Sequence, residues 1–298
     1  MAQKRGLTPY TVTRGNEKQK ARSKSADGKQ AGQSPNLEHK HFFLKRTLFI
    51  IAICVGFFVI NALAGGYLGF DWVGAVKDIP SGFVWMVTNF VPSIESFEKI
   101  EQILKALGKT VLISVAASCV AAVLAYIFAV LGSRSVGIGA PIQLMVRGVA
   151  TLFRNIPVVA WAFVLLFSFK QSEFTGFLAL FLGSFGYLTR CYLENIDEVS
   201  GGAVEALQST GAGYFQVIMK AVVPLSVTGV ISWVMYMIET NIRDATLVGI
   251  LTGTGIGFVF DIYYKSFRYD VAGLIIITIV LAVVVCEAIS NYVRRRII

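Results

Sequence analysis

Residues 194–224 read ENIDEVSGGAVEALQSTGAGYFQVIMKAVVP, the longest polar interruption in an otherwise apolar C-terminal two-thirds. A membrane-length apolar run stands on either side of it, so it is the connection between two spans. Its inner part predicts two short helices around a glycine turn. Residues 203–210 have helical composition after Ser200, which is read as an N-cap, placing Glu205 near the positive start of that helix. Gly211 suits the left-handed conformation that ends a helix, and Gly213 loosens the restart. Residues 214–221 then predict a second helix, and Pro224 suits the first turn of the following segment. A helix-turn-helix projecting between two spans has the shape to dock into another protein.

The composition agrees with this reading. Of 298 residues, 55% are hydrophobic and 15% charged, well below the share of about 25% usual in soluble domains. Mean hydropathy is +0.66. The net charge of +9 does not point to nucleic acid, because 11 of the 27 Lys and Arg precede residue 47 and three more are Arg294, Arg295 and Arg296. Basic residues that flank spans mark the cytoplasmic side, so both ends are expected inside. Cys54, Cys119, Cys191 and Cys286 stand singly in apolar segments, without metal or disulfide spacing.

Outward from the polar stretch, the chain divides as follows. Residues 1–43 read as a disordered basic cytoplasmic tail holding both histidines, His39 and His41, with anionic lipid as its natural contact. Residues 44–66 predict a signal-anchor transmembrane helix. Residues 67–109 predict an extracytoplasmic segment, with an interfacial helix over 79–92 and an amphipathic elbow over 97–109. Residues 110–298 form the core, with spans over about 110–131, 142–169, 175–191, 224–242 and 271–292. The third span of the chain, 142–169, carries Arg147, Arg154, Asn155 and Pro157. Arg147, close to the cytoplasmic edge, is expected to snorkel. Arg154 falls about 18 Å into a straight helix, too deep for that. Pro157 has no N–H and frees the carbonyl near Phe153. A buried arginine beside a helix break marks either a functional site or a structural network closed by a carboxylate such as Glu239. Glu239 and Arg243 are spaced for an ion pair within one helix. Alternate glycines at 249, 253, 255 and 257 suit irregular turns or a re-entrant gate. Gly108-Lys109-Thr110 lacks the earlier glycine and the strand of a phosphate-binding loop, so no ATP site is expected here.

Glu205-Ala206-Leu207, Gly211 with Ala212 after it, and Ala221-Val222-Val223-Pro224 together resemble the EAA loop of bacterial ABC importer permeases. The Glu, first Ala, Gly and Pro fall in register. Phe153-Arg154-Asn155-Ile156-Pro157 followed by Trp161-Ala162 is similar to a signature of the phosphonate-type branch, as is the stretch from Asn241-Ile242-Arg243 to Gly249. The glycine string Gly253-Thr254-Gly255-Ile256-Gly257 departs from that branch, with Thr252 and Thr254 standing where it carries glycine. The resemblance covers roughly residues 100–298. It implies an all-α membrane protein of about six transmembrane helices, with the MetI-like fold of type I ABC importers and cytoplasmic coupling helices. It also implies a permease subunit for a phosphonate, phosphite or related anion in the bacterial plasma membrane. The partners implied are separate ABC ATPase subunits at the coupling loop, an extracytoplasmic substrate-binding protein and a second permease subunit, as a homodimer. ATP is bound by the partner; no cofactor, metal or catalytic residue is expected in this chain. Glu205, Ala206, Leu207, Gly211, Ala212 and Pro224 would couple to the ATPase. Arg154, Asn155, Pro157, Glu239, Asn241, Arg243, Gly253, Gly255 and Gly257 would line the pathway or gate.

The alternatives are an importer of the same class for methionine or phosphate, an ion-coupled secondary transporter, and an intramembrane enzyme. A secondary transporter would ordinarily show related halves, which are not evident. An enzyme needs a nucleophile-base pair or metal ligands within the spans, and neither histidine lies in one.

Overall fold

The computed structural model describes residues 36–297. Most of the expected basic tail therefore lies outside the described residues. The chain divides into two compact units, residues 1–80 and 81–298. In the first, α1 (Asn36–Leu68) carries an apolar stretch of 26 residues, long enough to cross a membrane. Its side chains from residue 43 onward are exposed almost all round, as in a helix solvated by lipid. Gly69, at φ +66°, ends it. Asp71 then caps α2 (Trp72–Asn89) by accepting from the Val73 N–H at 3.0 Å. The helix expected over 79–92 thus begins earlier and runs through Pro80.

The second unit is built from a 3₁₀ turn (Glu95–Lys99) and α3 (Ile100–Gly132), then α4 (Ala140–Asn155), α5 (Val158–Phe169) and α6 (Glu173–Ser209). A short α7 (Tyr214–Val217) and a π turn (Ile218–Val222) follow, then α8 (Val223–Thr252), α9 (Gly255–Lys265) and α10 (Tyr269–Ile297). Every described element is helical. The expected elbow over 97–109 is no separate element, because beyond the 3₁₀ turn it is the start of α3.

α3 and α6 share the most extensive contact. The reason is a stripe of small residues on α3, where Ala117, Ser118, Ala121, Ala125 and Ala129 are fully buried. Lipid is as apolar as leucine, so close backbone approach and interhelical hydrogen bonds hold such helices together rather than burial of bulky groups. Gly132 extends the stripe: a Cβ there would lie 2.6 Å from Val146 Cγ1 and 3.2 Å from Leu193 Cδ2.

Three expected spans are redrawn. The span over 142–169 is two helices, α4 and α5, bent by 92° at the break. Pro157 cannot donate to the carbonyl four residues back, and the chain turns extended at Ile156. The span over 175–191 is the first half of α6, which continues as helix to Ser209. The span over 224–242 continues as α8 to Thr252, so the glycine segment is the end of one helix and the start of the next. Five described helices are long and apolar enough to cross a membrane, and the bent pair makes six if it counts as one span.

Candidate functional site

The tip of the α6–α8 hairpin is set by local backbone chemistry. Helix α6 ends with the Gly211 N–H bonding the Gln208 carbonyl at 2.9 Å and the Ala212 N–H bonding the Leu207 carbonyl at 3.2 Å. These two bonds define a Schellman end, which needs a left-handed residue at the position Gly211 fills, with φ +81°. Leu207 and Ala212 both pack on the main core, giving the apolar contact that accompanies this ending. The Gly213 N–H then bonds Gln216 Oε1 at 3.1 Å, starting α7.

Two expectations for this stretch are corrected. Ser200 is not an N-cap: it is buried in the middle of α6, and its hydroxyl bonds the Ile196 carbonyl at 2.7 Å. Residues 203–210 are the last turns of a long helix, not a separate short one, since nothing before Thr210 stops propagation. Glu205 therefore lies toward the negative end of the helix. The second helix is α only over Tyr214–Val217 and then widens into the π turn, with Pro224 at the first turn of α8 as expected. Glu205, Ala206, Gly211 and Pro224 face outward. Beside them Tyr214, Phe215 and Met219 are exposed, Phe215 to 72%. The face is mixed and apolar at its centre, with Val204, Val217, Ala221 and Val222 buried behind it.

At the helix break, the Phe153 carbonyl freed by Pro157 accepts from the Trp161 Nε1–H at 3.5 Å, and the Phe153 and Trp161 rings stack with centroids 5.1 Å apart. The break lies against α6, where a Cβ on Gly186 would come within 2.6 Å of the Arg154 backbone nitrogen. Arg154 and Asn155 are exposed at the end of α4. No hydrogen bond or ion pair joins the Arg154 guanidinium to another described residue. α4 runs unbroken through Arg154 to Asn155, and the 92° bend follows Arg154. Glu239 does not close a network with Arg154. It pairs with Arg243 at 3.1 Å, with side chains 12% and 49% exposed respectively.

The remaining candidates do not converge with Arg154. Asn241 is fully buried, its Nδ2 donating to Ser118 Oγ at 2.8 Å and Ser184 Oγ at 2.7 Å. Gly253 and Gly255, at φ +69° and +63°, make the turn between α8 and α9. Gly257 is buried against the Thr246 carbonyl, where any Cβ would overlap. The structure also brings forward a residue that sequence reading passed over. Asp197 on α6 accepts from Arg147 Nη2 at 3.0 Å and from Ser133 Oγ at 2.8 Å. Arg147 is thus paired with a carboxylate on α6. The only signal in the sequence is an aspartate at the inner edge of one span and an arginine at the inner edge of another.

Comparison with known proteins places this geometry in a class. The family described as the binding-protein-dependent transport system inner membrane component matches residues 121–298. The chain belongs to that family and is a multi-pass membrane protein with the MetI-like fold of ABC importer permeases. It is similar to the phosphate-import permease protein PhnE of Mycolicibacterium smegmatis, 28% identical over 84% of this chain and 45% of that one. It is also similar to the phosphite transport system permease protein PtxC of Stutzerimonas stutzeri, 25% identical over 64% of this chain and 70% of that one. The chain thus spans less than half the length of the mycobacterial relative. Among solved structures, a chain of the inward-facing MetNI methionine ABC transporter aligns with TM-score 0.60 at 16% identity, covering 69% of this chain and 99% of that one. A chain of a bacterial ABC transporter involved in import of the acidic polysaccharide alginate aligns with TM-score 0.57 at 14% identity, covering 83% and 98%. At these identities the structures speak for the fold alone.

Proposed function

We propose that this chain is the permease subunit of an ATP-dependent importer for phosphonate, phosphite or a related phosphorus oxyanion. The observation that carries the reading is the α6–α8 tip. An exposed apolar face is held on a rigid hairpin by the Gly211 turn and has the form of a seat for a partner protein. The partner is an ABC ATPase, and two copies of each subunit complete the pathway, with the tip and both termini on the cytoplasmic side. ATP draws the ATPases together, the tips follow, and the pathway opens toward an extracytoplasmic binding protein; hydrolysis resets it. The chain itself binds no nucleotide.

The oxyanion assignment rests on two supports. Relatives are named for phosphate and phosphite import. Arg154 offers an exposed guanidinium without an ion-pair partner at the helix break, and a planar fork of donors matches phosphoryl oxygens. Glu205, Ala206, Leu207, Gly211, Ala212 and Pro224 form the coupling surface. Arg154, Asn155 and Pro157 face the pathway, and Glu239 and Arg243 sit beside it. Asn241 and the glycines at 253, 255 and 257 shape the helices around it.

The test is growth of an in-frame deletion strain on a phosphonate, on phosphite and on phosphate as sole phosphorus source, complemented by wild type or Gly211→Pro. Loss on phosphonate or phosphite, restored by wild type and not by Gly211→Pro, supports both substrate class and tip. Normal growth on all three, in a strain without a second importer, rejects the substrate class.

A further inference from the structure

We propose that Asp197 and Arg147 form the joint that carries displacement of the hairpin tip into α4, and so to Arg154 at the helix break. The proposal rests on the reading of the tip as the ATPase seat.

Asp197 lies on α6 eight residues before Glu205, about 12 Å along the same helix. Its Oδ1 accepts from Ser133 Oγ at 2.8 Å, from the Arg134 N–H at 2.7 Å and from the Ser135 N–H at 3.4 Å. Its Oδ2 accepts from Arg147 Nη2 at 3.0 Å, and the same nitrogen donates to the Gly132 carbonyl at 3.3 Å. One carboxylate thereby gathers the end of α3, the loop after it and α4 onto the helix that leads to the tip. Among the described residues, the Arg147–Asp197 contact is the only hydrogen bond between α4 and α6. Elsewhere the two helices touch by van der Waals contact, as at Gly186.

The surroundings leave no slack. Both partners are only 22% exposed, and Val146, beside Arg147, closes on Gly132 with no room for a Cβ. A packed contact of this kind moves as a unit or switches; it does not compress. From Arg147 the α4 helix runs seven residues, about 10 Å, straight to Arg154. The chain first becomes extended beyond it, at Ile156. Movement of α6 at Asp197 therefore arrives at the guanidinium and is absorbed only past it.

The experiment uses the complex of this chain with its ATPase and binding protein in proteoliposomes, loaded with labelled methylphosphonate or phosphite. Asp197→Asn and Arg147→Met are compared with wild type and with Gly211→Pro. Asp197→Asn and Arg147→Met are expected to retain the ATPase through purification and to hydrolyse ATP. Their uptake per ATP hydrolysed is expected to fall about ten-fold, within the usual range of coupling between sites. The charge-exchanged pair, Arg147→Asp with Asp197→Arg, is expected to recover more uptake per ATP than either of its component single substitutions. Wild-type uptake per ATP in Asp197→Asn overturns the joint, and so does loss of ATPase binding together with uptake, which marks a merely structural contact. Full ATPase retention by Gly211→Pro overturns the tip reading instead, and the joint with it.

Discussion

The amide of Asn241 on α8 lies 2.7 Å from the hydroxyl of Ser184 on α6 and donates to it in the middle of the bundle. The same amide donates to Ser118 on α3, and Ser114 on α3 donates to the Asn241 carbonyl at 3.1 Å. Three helices are thus tied at one side chain, all of it out of reach of water. Each serine also bonds its own helix four residues back, so truncating Asn241 orphans none of them. Asn241→Ala removes two interhelical bonds, worth about 0.6 kcal/mol each in membrane bundles. We expect a loss of about 1–2 kcal/mol, read as a lower detergent-solubilised Tm with expression retained. An unchanged Tm would show that the knot adds nothing to cohesion.

Gly186 is where the broken helix crosses α6. A Cβ there would meet the Phe153 side chain and the Arg154 backbone at 2.6 Å, and backbone cannot yield as a flexible side chain can. Gly186→Ala is expected to cost about 1–3 kcal/mol, as overpacking does, and to lower both membrane abundance and uptake. Gly148→Ala on α4 meets nothing within 4 Å and should be neutral or stabilising by up to about 1 kcal/mol. Thermal melts of the two variants side by side check the contrast.

At Gly211 the space around the position is empty but φ is +81°. Backbone strain alone therefore decides the outcome there. Gly211→Asn should retain most uptake, because asparagine tolerates the left-handed region. Gly211→Val should lose it, since a β-branched residue does not. Equal uptake from the two variants would mean that the tip does not need this turn.

Arg154 gives a prediction about charge and shape. Arg154→Gln should reduce uptake at unchanged membrane abundance, and Arg154→Lys should recover only part, because an ammonium lacks the bidentate fork. Initial-rate uptake against substrate concentration separates a binding defect from a rate defect. Full recovery by lysine would show that charge alone suffices.

What could be read beforehand follows from the range of the interactions. Gly211, Pro224 and the Phe153 carbonyl were legible because each depends on a few consecutive residues. The continuity of α6 through residues 194–209 was not, because a polar helix beyond the membrane edge has the same composition whether it is separate or continuous. The break after Arg154 is legible from Pro157, but the 92° angle it makes is not, because that angle is set by packing of α4 and α5 on other helices. Asp197 was silent because the groups it holds, Ser133 and Arg147, lie 64 and 50 residues away. Asn241 stood among polar neighbours Glu239 and Arg243, and sequence cannot say which of them faces the interior. The i, i+4 spacing gives the Glu239–Arg243 ion pair in advance, but only packing assigns Asn241 to the core.

The most direct measurement is accumulation of labelled methylphosphonate in proteoliposomes holding this chain, its ATPase and its binding protein. The account predicts accumulation that requires ATP and the binding protein, and that unlabelled phosphite competes while methionine does not. Accumulation without ATP, or competition by methionine and not by phosphite, would contradict it.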